Sequence, residues 1–404
     1  MLSTPALVRP HPEHQAADLL AAYLPGSFFY SSARGTLLAD GVHTVVPASA
    51  GGAADAVTAA LHEAVAAGLS DPVVVGAVGF APGAESSLVV PAVVRRAAGP
   101  ANVPPDTGAG ADRGPEEARG GWSVRRTPEP AEYAAGVRRA LGLIGSRELH
   151  KVVLARRIEL TAAQPVAVPA LLTQLLRADP TAYAFAVDVT APGDPATRTL
   201  VGASPELLVS RRGLDVVANP LAGSAPRAGS PGADLARAEA LRRSDQDRRE
   251  HALVTEQVAD ALGRFCVDLD VPAEPEVVGT KAMWHLSSRL IGRLTDRSVS
   301  SPALAEALHP TPAVCGVPQH GARNAITEIE GIDRGYYSGF AGWCDADGDG
   351  EWAVSIRCAE VSARTIRLYA GAGIVEGSDP AAELAETSAK FSTLLRALGM
   401  GDAL

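Results

Sequence analysis

The stretch from Gly335 to Val375, GYYSGFAGWCDADGDGEWAVSIRCAEVSARTIRLYAGAGIV, limits the possible folds more than any other part of the chain. Its apolar runs are short and rich in β-branched and aromatic residues, and the Gly, Asp and Ser clusters between them are too brief for a crossover helix. Such a meander pairs antiparallel. Similar runs occur at GSFFYSSARGTLLAD, DPVVVGAVGF, SSLVVPAVVRR, KVVLARRIEL, AYAFAVDV, TLVGASPELLVSRRG and LDVVANPLAG. Helical periodicity falls in separate segments: Ala16 to Tyr23, Ala53 to Ala67, Pro130 to Ile144, VPALLTQLLRA, Leu241 to Phe265 and Pro380 to Leu398. The expected fold class is α+β (α/β), antiparallel sheets flanked by helices.

The 404 residues, 47% hydrophobic and 20% charged, suffice for a large core. Residues 1–95 form an N-terminal part and residues 122–404 the remainder. Between them the 96–121 segment is rich in Pro and Gly, has little to bury, and is expected to be a flexible surface loop. A net charge of −10 argues against nucleic acid or an anionic membrane as partner, because both need clustered Lys and Arg. A small anionic ligand is still allowed, since a local cation can outweigh the global field. Cys266, Cys315, Cys344 and Cys358 include no CxxC pair and read as buried thiols. The start MLSTPALVRPHPEH lacks the apolar run of a signal peptide, and no stretch approaches the roughly 18 apolar residues of a membrane helix. A cytosolic protein is expected.

Two motifs read weakly. DADGDG matches the start of a calcium loop, but the twelfth position is Ile356 where a bidentate Glu is needed, so an Asp/Gly hairpin turn is expected. GAGIVEG lacks a third glycine in register and follows a meander, which disfavours a dinucleotide loop; its glycines still permit close approach of backbone to a ligand.

Charged residues in apolar settings carry more. Asp247 and Glu250 head the stripe of Val254, Val258, Ala261 and Phe265 and need a partner there. On the last helix Leu384, Ser388, Phe391, Leu395 and Leu398 form one stripe, with Glu383, Glu386 and Lys390 on another face. Lys151 opens KVVLA, and Glu206 interrupts VGASPELLVS. Taken together, Lys151, Glu206, Glu250 and Glu386 suit one chemistry: a lysine base, a glutamic acid held protonated, and two carboxylates for Mg²⁺.

The blocks HKVVLARRIEL, LVGASPELLV, ANPLAGSAPR, SDQDRREHALV, MWHLSSRL, LHPTPAVCGVP, GYYSGFAGWC, EWAVSIRCA and LYAGAGIVEGSDPAAELAETSAKFSTLL follow one another as in the chorismate-utilising enzymes. The resemblance runs from about Gly121 to the C-terminus and is greatest to the isochorismate synthases. It implies a single large domain of two packed antiparallel sheets with helices around them, dependent on Mg²⁺ and monomeric. It implies that chorismate binds through its ring carboxylate to the metal, held by Glu250 and Glu386 with Glu383 nearby, Asp247 lying just outside. By the same resemblance Lys151 is the base for the water attacking C2, and Glu206 the acid for the departing C4 hydroxyl. Arg357 grips the enolpyruvyl carboxylate, where a guanidinium fork fits a planar anion. Tyr369, Gly371 and Lys390 stand around the ligand, and Gly223, Ser224, His285, Ala313, Val314 and Tyr337 match pocket-wall positions.

Lys151 points to water as nucleophile, because relatives that use ammonia lack that lysine. Salicylate synthases, which go on to eliminate pyruvate, share it, but LHPTPAVCGVP resembles the isochorismate synthases. A silent chorismate-binding protein is disfavoured because candidates for base, acid and metal ligands are all present. The compact chain leans toward 2,3-dihydroxybenzoate and siderophore synthesis over menaquinone.

Overall fold

A computed structural model describes residues 14–47, 52–101, 103 and 121–400. Every strand pairing among them is antiparallel, as the short turns require. The first sheet runs Gly316–Val317, Lys151–Ala162, Thr365–Ile374, Cys358–Ser362, Arg198–Ser204, Tyr183–Asp188, Phe28–Ser32, Gly35–Asp40, Val93–Ala97, with Trp122–Thr127 also paired to Lys151–Ala162. The second runs Cys266–Asp270, Leu290–Leu294, Asp215–Asn219, Leu207–Arg212, Gly350–Val354, Phe340–Asp345, Val73–Val78, Ser86–Val90, Thr44–Val45. The two large sheets share a core in which Phe28, Tyr30, Phe185 and Leu200 of the first meet Val73, Val75, Ala341 and Ala353 of the second.

Helices cover the outer faces. Val168–Ala178 and Pro380–Ala397 pack on the first sheet through Leu171, Leu175, Phe391 and Leu394, and Ala53–Ala66, Asp245–Leu262 and Ser301–Leu308 pack on the second through Val57, Val254, Val258 and Leu304. With both faces covered, the central strands bury side chains on both sides and read as continuous apolar runs instead of alternating ones. No helix among the described residues is long and apolar enough to cross a membrane.

Several elements differ from the sequence reading. A third sheet, Leu221–Pro226, Met283–Ser287 and Glu276–Gly279, accompanies the two that were expected. TLVGASPELLVSRRG is two strands, Arg198–Ser204 in the first sheet and Leu207–Arg212 in the second, with Pro205 and Glu206 at the crossing. LDVVANPLAG likewise splits at Pro220 between the second and third sheets, and EWAVSIRC switches from the second sheet to the first through Ser355, Ile356 and Arg357. A proline cannot donate to a ladder, so Pro205 and Pro220 end the strands before them. The helix expected from Leu241 to Phe265 is two, Pro231–Arg243 and Asp245–Leu262. Ser244 is extended at ψ 112° and its Oγ accepts from the Asp247 N–H, an N-cap that starts a new helix. Phe265 falls in the turn after the second helix.

The DADGDG segment is the hairpin turn between Phe340–Asp345 and Gly350–Val354, where Asp345 Oδ1 accepts from the Asp347 and Asp349 N–H groups. All four cysteines are buried free thiols. Of the expected 96–121 loop, Arg96 and Ala97 close the Val93–Ala97 strand, while residues 102 and 104–120 lie outside the described residues.

Candidate active site

A cleft of about 550 Å³ opens where these strand switches meet the two glutamate-bearing helices. It is lined by twelve of the fifteen residues singled out from sequence: Glu206, Gly223, Ser224, Glu250, His285, Ala313, Val314, Tyr337, Arg357, Gly371, Glu386 and Lys390. Lys151, Glu383 and Tyr369 are set behind that surface.

Lys151 begins its strand with its side chain wholly buried, and its Nζ lies 2.9 Å from Glu250 Oε1. The contact is an ion pair outside hydrogen-bond geometry, which leaves Nζ without a hydrogen-bond partner. Glu250 reaches it from the Asp245–Leu262 helix across Gly373, and the space for that approach exists because Gly373 has no side chain. A Cβ there would stand 2.2 Å from Glu250 Oε1 and 3.1 Å from Lys151 Cε. Gly373 was not among the residues chosen from sequence, although the paired glycines of GAGIV signalled a close approach at this strand end. We expect Gly373→Ala to displace Glu250, costing about 1–3 kcal/mol as overpacking does. Thermal unfolding of the variant, compared with Gly142→Ala where a Cβ meets nothing within 4 Å, is the check.

The second carboxylate arrives on the last helix. Glu386 Oε1 accepts from Ser224 Oγ at 2.9 Å and pairs with Lys390 Nζ at 2.6 Å, and Lys390 also donates to the Gly371 carbonyl at 2.8 Å. The buried stripe of this helix is Glu383, Thr387, Phe391, Leu394 and Leu395, so Glu383 belongs to the inward face; Ser388, expected there, is exposed. Burial, then the charges of Glu386 and Glu250, push the Glu383 carboxyl well above the usual carboxylate range. Asp247 packs against Gly223, whose backbone is left-handed at φ +77° and whose Cβ would lie 3.0 Å from Asp247 Cβ. Burial and the neighbouring Glu250 and Glu386 raise Asp247 to about 6. At the acidic head of the helix, then, Glu250 looks toward Lys151, and Asp247 lies beside Glu250 and Glu386.

Glu206 is buried at the sheet crossing, and its Oε1 has no hydrogen-bond partner. Burial raises its pKa to about 7, offset in part by a backbone hydrogen bond from Leu221 and by the cations Lys151, Arg357 and Lys390. Arg357, at the other switch, is a non-glycine residue with φ +50°, and its buried Nη2 is likewise unpartnered. His285 Nε2 is buried without a partner, and burial beside Arg357 and Lys390 keeps the ring neutral. Tyr337 forms a wall near Gly371, while Tyr369 stacks on the far side of Tyr337, ring centroids 5.0 Å apart. Tyr369 thus supports the wall instead of forming it. Beside Gly373, the residues Val153, Pro205, Leu221, Ala222 and Ile356 complete the lining and were missed, because apolar residues in strands and at strand switches look like ordinary core.

Glu250, Glu383 and Glu386 are not drawn into a ready-made ligand set, and no three His, Cys, Asp or Glu residues among the described ones are so gathered. Glu250 is turned to Lys151, and Glu386 to Lys390 and Ser224. The donors still fit a hard divalent cation, which takes one or two carboxylates and completes its shell with water and ligand oxygens. Burial chiefly, and the repulsion of neighbouring carboxylates in addition, raise Glu383 and Asp247, and a bound cation would offset both.

The profile of a family described as "Chorismate binding enzyme" matches residues 111–399, more than half of the chain. Isochorismate synthase DhbC of Bacillus subtilis (strain 168) is 46% identical over 396 residues, covering 96% of this chain and 97% of that protein. The crystal structure of the "putative 2,3-dihydroxybenzoate-specific isochorismate synthase, DhbC" from Bacillus anthracis superposes with TM-score 0.90 at 42% identity over 96% of this chain and all of the other. MenF, the menaquinone-specific isochorismate synthase of Escherichia coli, superposes at 0.77 with 26% identity over 96% and 92% of the two chains. A profile match of this length, near end-to-end identity and a shared fold have one reading: the chain belongs to the chorismate-binding enzymes.

Proposed function

We propose that the chain is an isochorismate synthase, which adds water at C2 of chorismate and releases the C4 hydroxyl. The supporting observation is that two buried ionisable groups, Glu206 in the cleft lining and Lys151 just behind it, belong to one site. Glu206 titrates near 7, so at neutral pH a substantial fraction carries the proton that an acid must give. Its unpartnered Oε1 leaves a hydrogen-bond position for a ligand hydroxyl. Lys151 makes no hydrogen bond at Nζ, and in its neutral amine form it accepts the proton of the attacking water. One water enters and one leaves, so substrate and product are isomers.

Chorismate carries two carboxylates. Arg357 offers a free guanidinium N–H to the enolpyruvyl carboxylate, and Lys390 adds a second positive charge. Neutral His285 and Tyr337 orient the ring without adding charge. Glu250 and Glu386, with Glu383 beside them, would hold Mg²⁺, which when bound supplies positive charge against the ring carboxylate. DhbC is 46% identical over 96% of this chain, whereas the MenF-named relatives at 51% match only 68% of it, and this end-to-end likeness supports a role in 2,3-dihydroxybenzoate and siderophore synthesis.

The test is incubation with chorismate and Mg²⁺, with and without EDTA, and identification of products by chromatography and mass. Isochorismate in equilibrium with chorismate, lost on chelation, is expected. Salicylate with pyruvate would instead identify a salicylate synthase, and unchanged chorismate would refute an enzymatic role.

A further inference from the structure

The strand that carries Lys151 lacks a neighbour along part of one edge. Gly316–Val317 pairs with Lys151 and Val152 only, and Trp122–Thr127 takes over from Arg157 onward. Between them the backbone groups of Val153 and Ala155 face no strand, and buried backbone groups require partners. The Val153 N–H donates to the Cys315 carbonyl at 2.7 Å, and two side chains partner the Val153 carbonyl and the Ala155 N–H. Arg334 Nη2 donates to the Val153 carbonyl at 2.8 Å, and Glu330 Oε1 accepts from the Ala155 N–H at 2.7 Å. Arg334 Nη1 also donates to the Val314 carbonyl at 2.7 Å, and its Nε to Glu330 Oε2 at 3.0 Å. Both side chains are buried, and the guanidinium lies over Phe80 and beside Tyr337. Val153, Val314 and Tyr337 are all walls of the cleft.

We propose that the Glu330–Arg334 ion pair is a positioning device for the site, standing in for the missing strand and fixing the Lys151 strand against the Val314 wall. The inference rests on the isochorismate synthase reading. A buried ion pair contributes little net stability over apolar residues of like volume, so stability alone does not account for one. This pair spends its hydrogen bonds on cleft-wall backbone, in a planar fork that lysine cannot reproduce. Because Lys151 opens the clamped segment, a small shift there moves the base relative to the ring, while Arg357 and Lys390 still bind the substrate.

The experiment compares the unchanged protein, Arg334→Lys and the double variant Glu330→Leu/Arg334→Met, which removes both buried charges together. Steady-state kinetics with chorismate and amide hydrogen exchange across residues 151–156 are measured. In both variants kcat should fall about tenfold or more, as misplacement of a catalytic group does, with KM within about threefold. The Ala155 amide should exchange faster while the Val168–Ala178 helix keeps its protection. A folded double variant with undiminished kcat, or with unaltered Ala155 exchange, overturns the proposal. If the unchanged protein leaves chorismate untouched, the functional reading fails by itself, and Ala155 exchange in the double variant still decides the clamp.

Discussion

Lys151→Ala lowers turnover of chorismate by about 10²–10⁴-fold, the range for loss of a positioned proton acceptor. The side chain is wholly buried and pairs with Glu250, so the variant also leaves a cavity and a carboxylate without its counter-charge. That should cost about 3–5 kcal/mol, as breaking a buried pair does. Set against a domain stability of roughly 5–15 kcal/mol, that loss is a large share, and circular dichroism with thermal unfolding measures what remains. Lys151→Gln, which keeps the volume, should be nearly as inactive and more stable. Near-normal turnover in a folded Lys151→Gln variant would remove the lysine from the reaction.

Glu206→Gln tests the acid and separates activity from stability. Turnover should fall by about 10²-fold or more, because an amide cannot deliver the proton that the departing hydroxyl takes. In the unchanged protein kcat/KM should decline as pH rises through about 7, where Glu206 loses its proton, and the variant should lack that limb. Stability moves the other way. The folded pKa of about 7 lies above the ordinary value of 4.5, so the folded state holds this proton more tightly. The stabilisation that follows is complete below pH 4.5 and is lost as pH rises to about 7. At pH 8 the variant should therefore be more stable by about 1–3 kcal/mol, and near pH 5 the gain should vanish. Chemical denaturation at both pH values measures this, and equal differences would mean that Glu206 is not desolvated as described.

Much of the local structure was legible because period and turn chemistry are local. VPALLTQLLRA is a helix at those residues, and the Asp/Gly turn closes the expected hairpin. The misread strand boundaries share one cause. Glu206, Arg357 and the Gly223 segment sit where the chain passes from one sheet to another, and a run that changes sheets keeps its apolar character throughout. Pro205 and Pro220 carried the signal, as did Ser244 with Asp247 for the broken helix. Tyr369 shares a strand face with Gly371 and Gly373, and only the stacking of Tyr337 in front of it removes it from the cleft.

The sequence alone determined many of the strands, several of the helices and the anomalous charges, because each depends on neighbours a few residues away. Lys151 and Glu206 stood out as ions in apolar runs, and family resemblance assigned them a chemistry. Tertiary structure decided which charges meet. Lys151 and Glu250 are about a hundred positions apart, and their 2.9 Å contact depends on how two sheets and a helix pack around Gly373. Burial, which raises Glu206 and Glu383, is likewise a property of the assembled layers and of no single segment. Desolvation needs neighbours from every side, and those neighbours are brought together only by the fold.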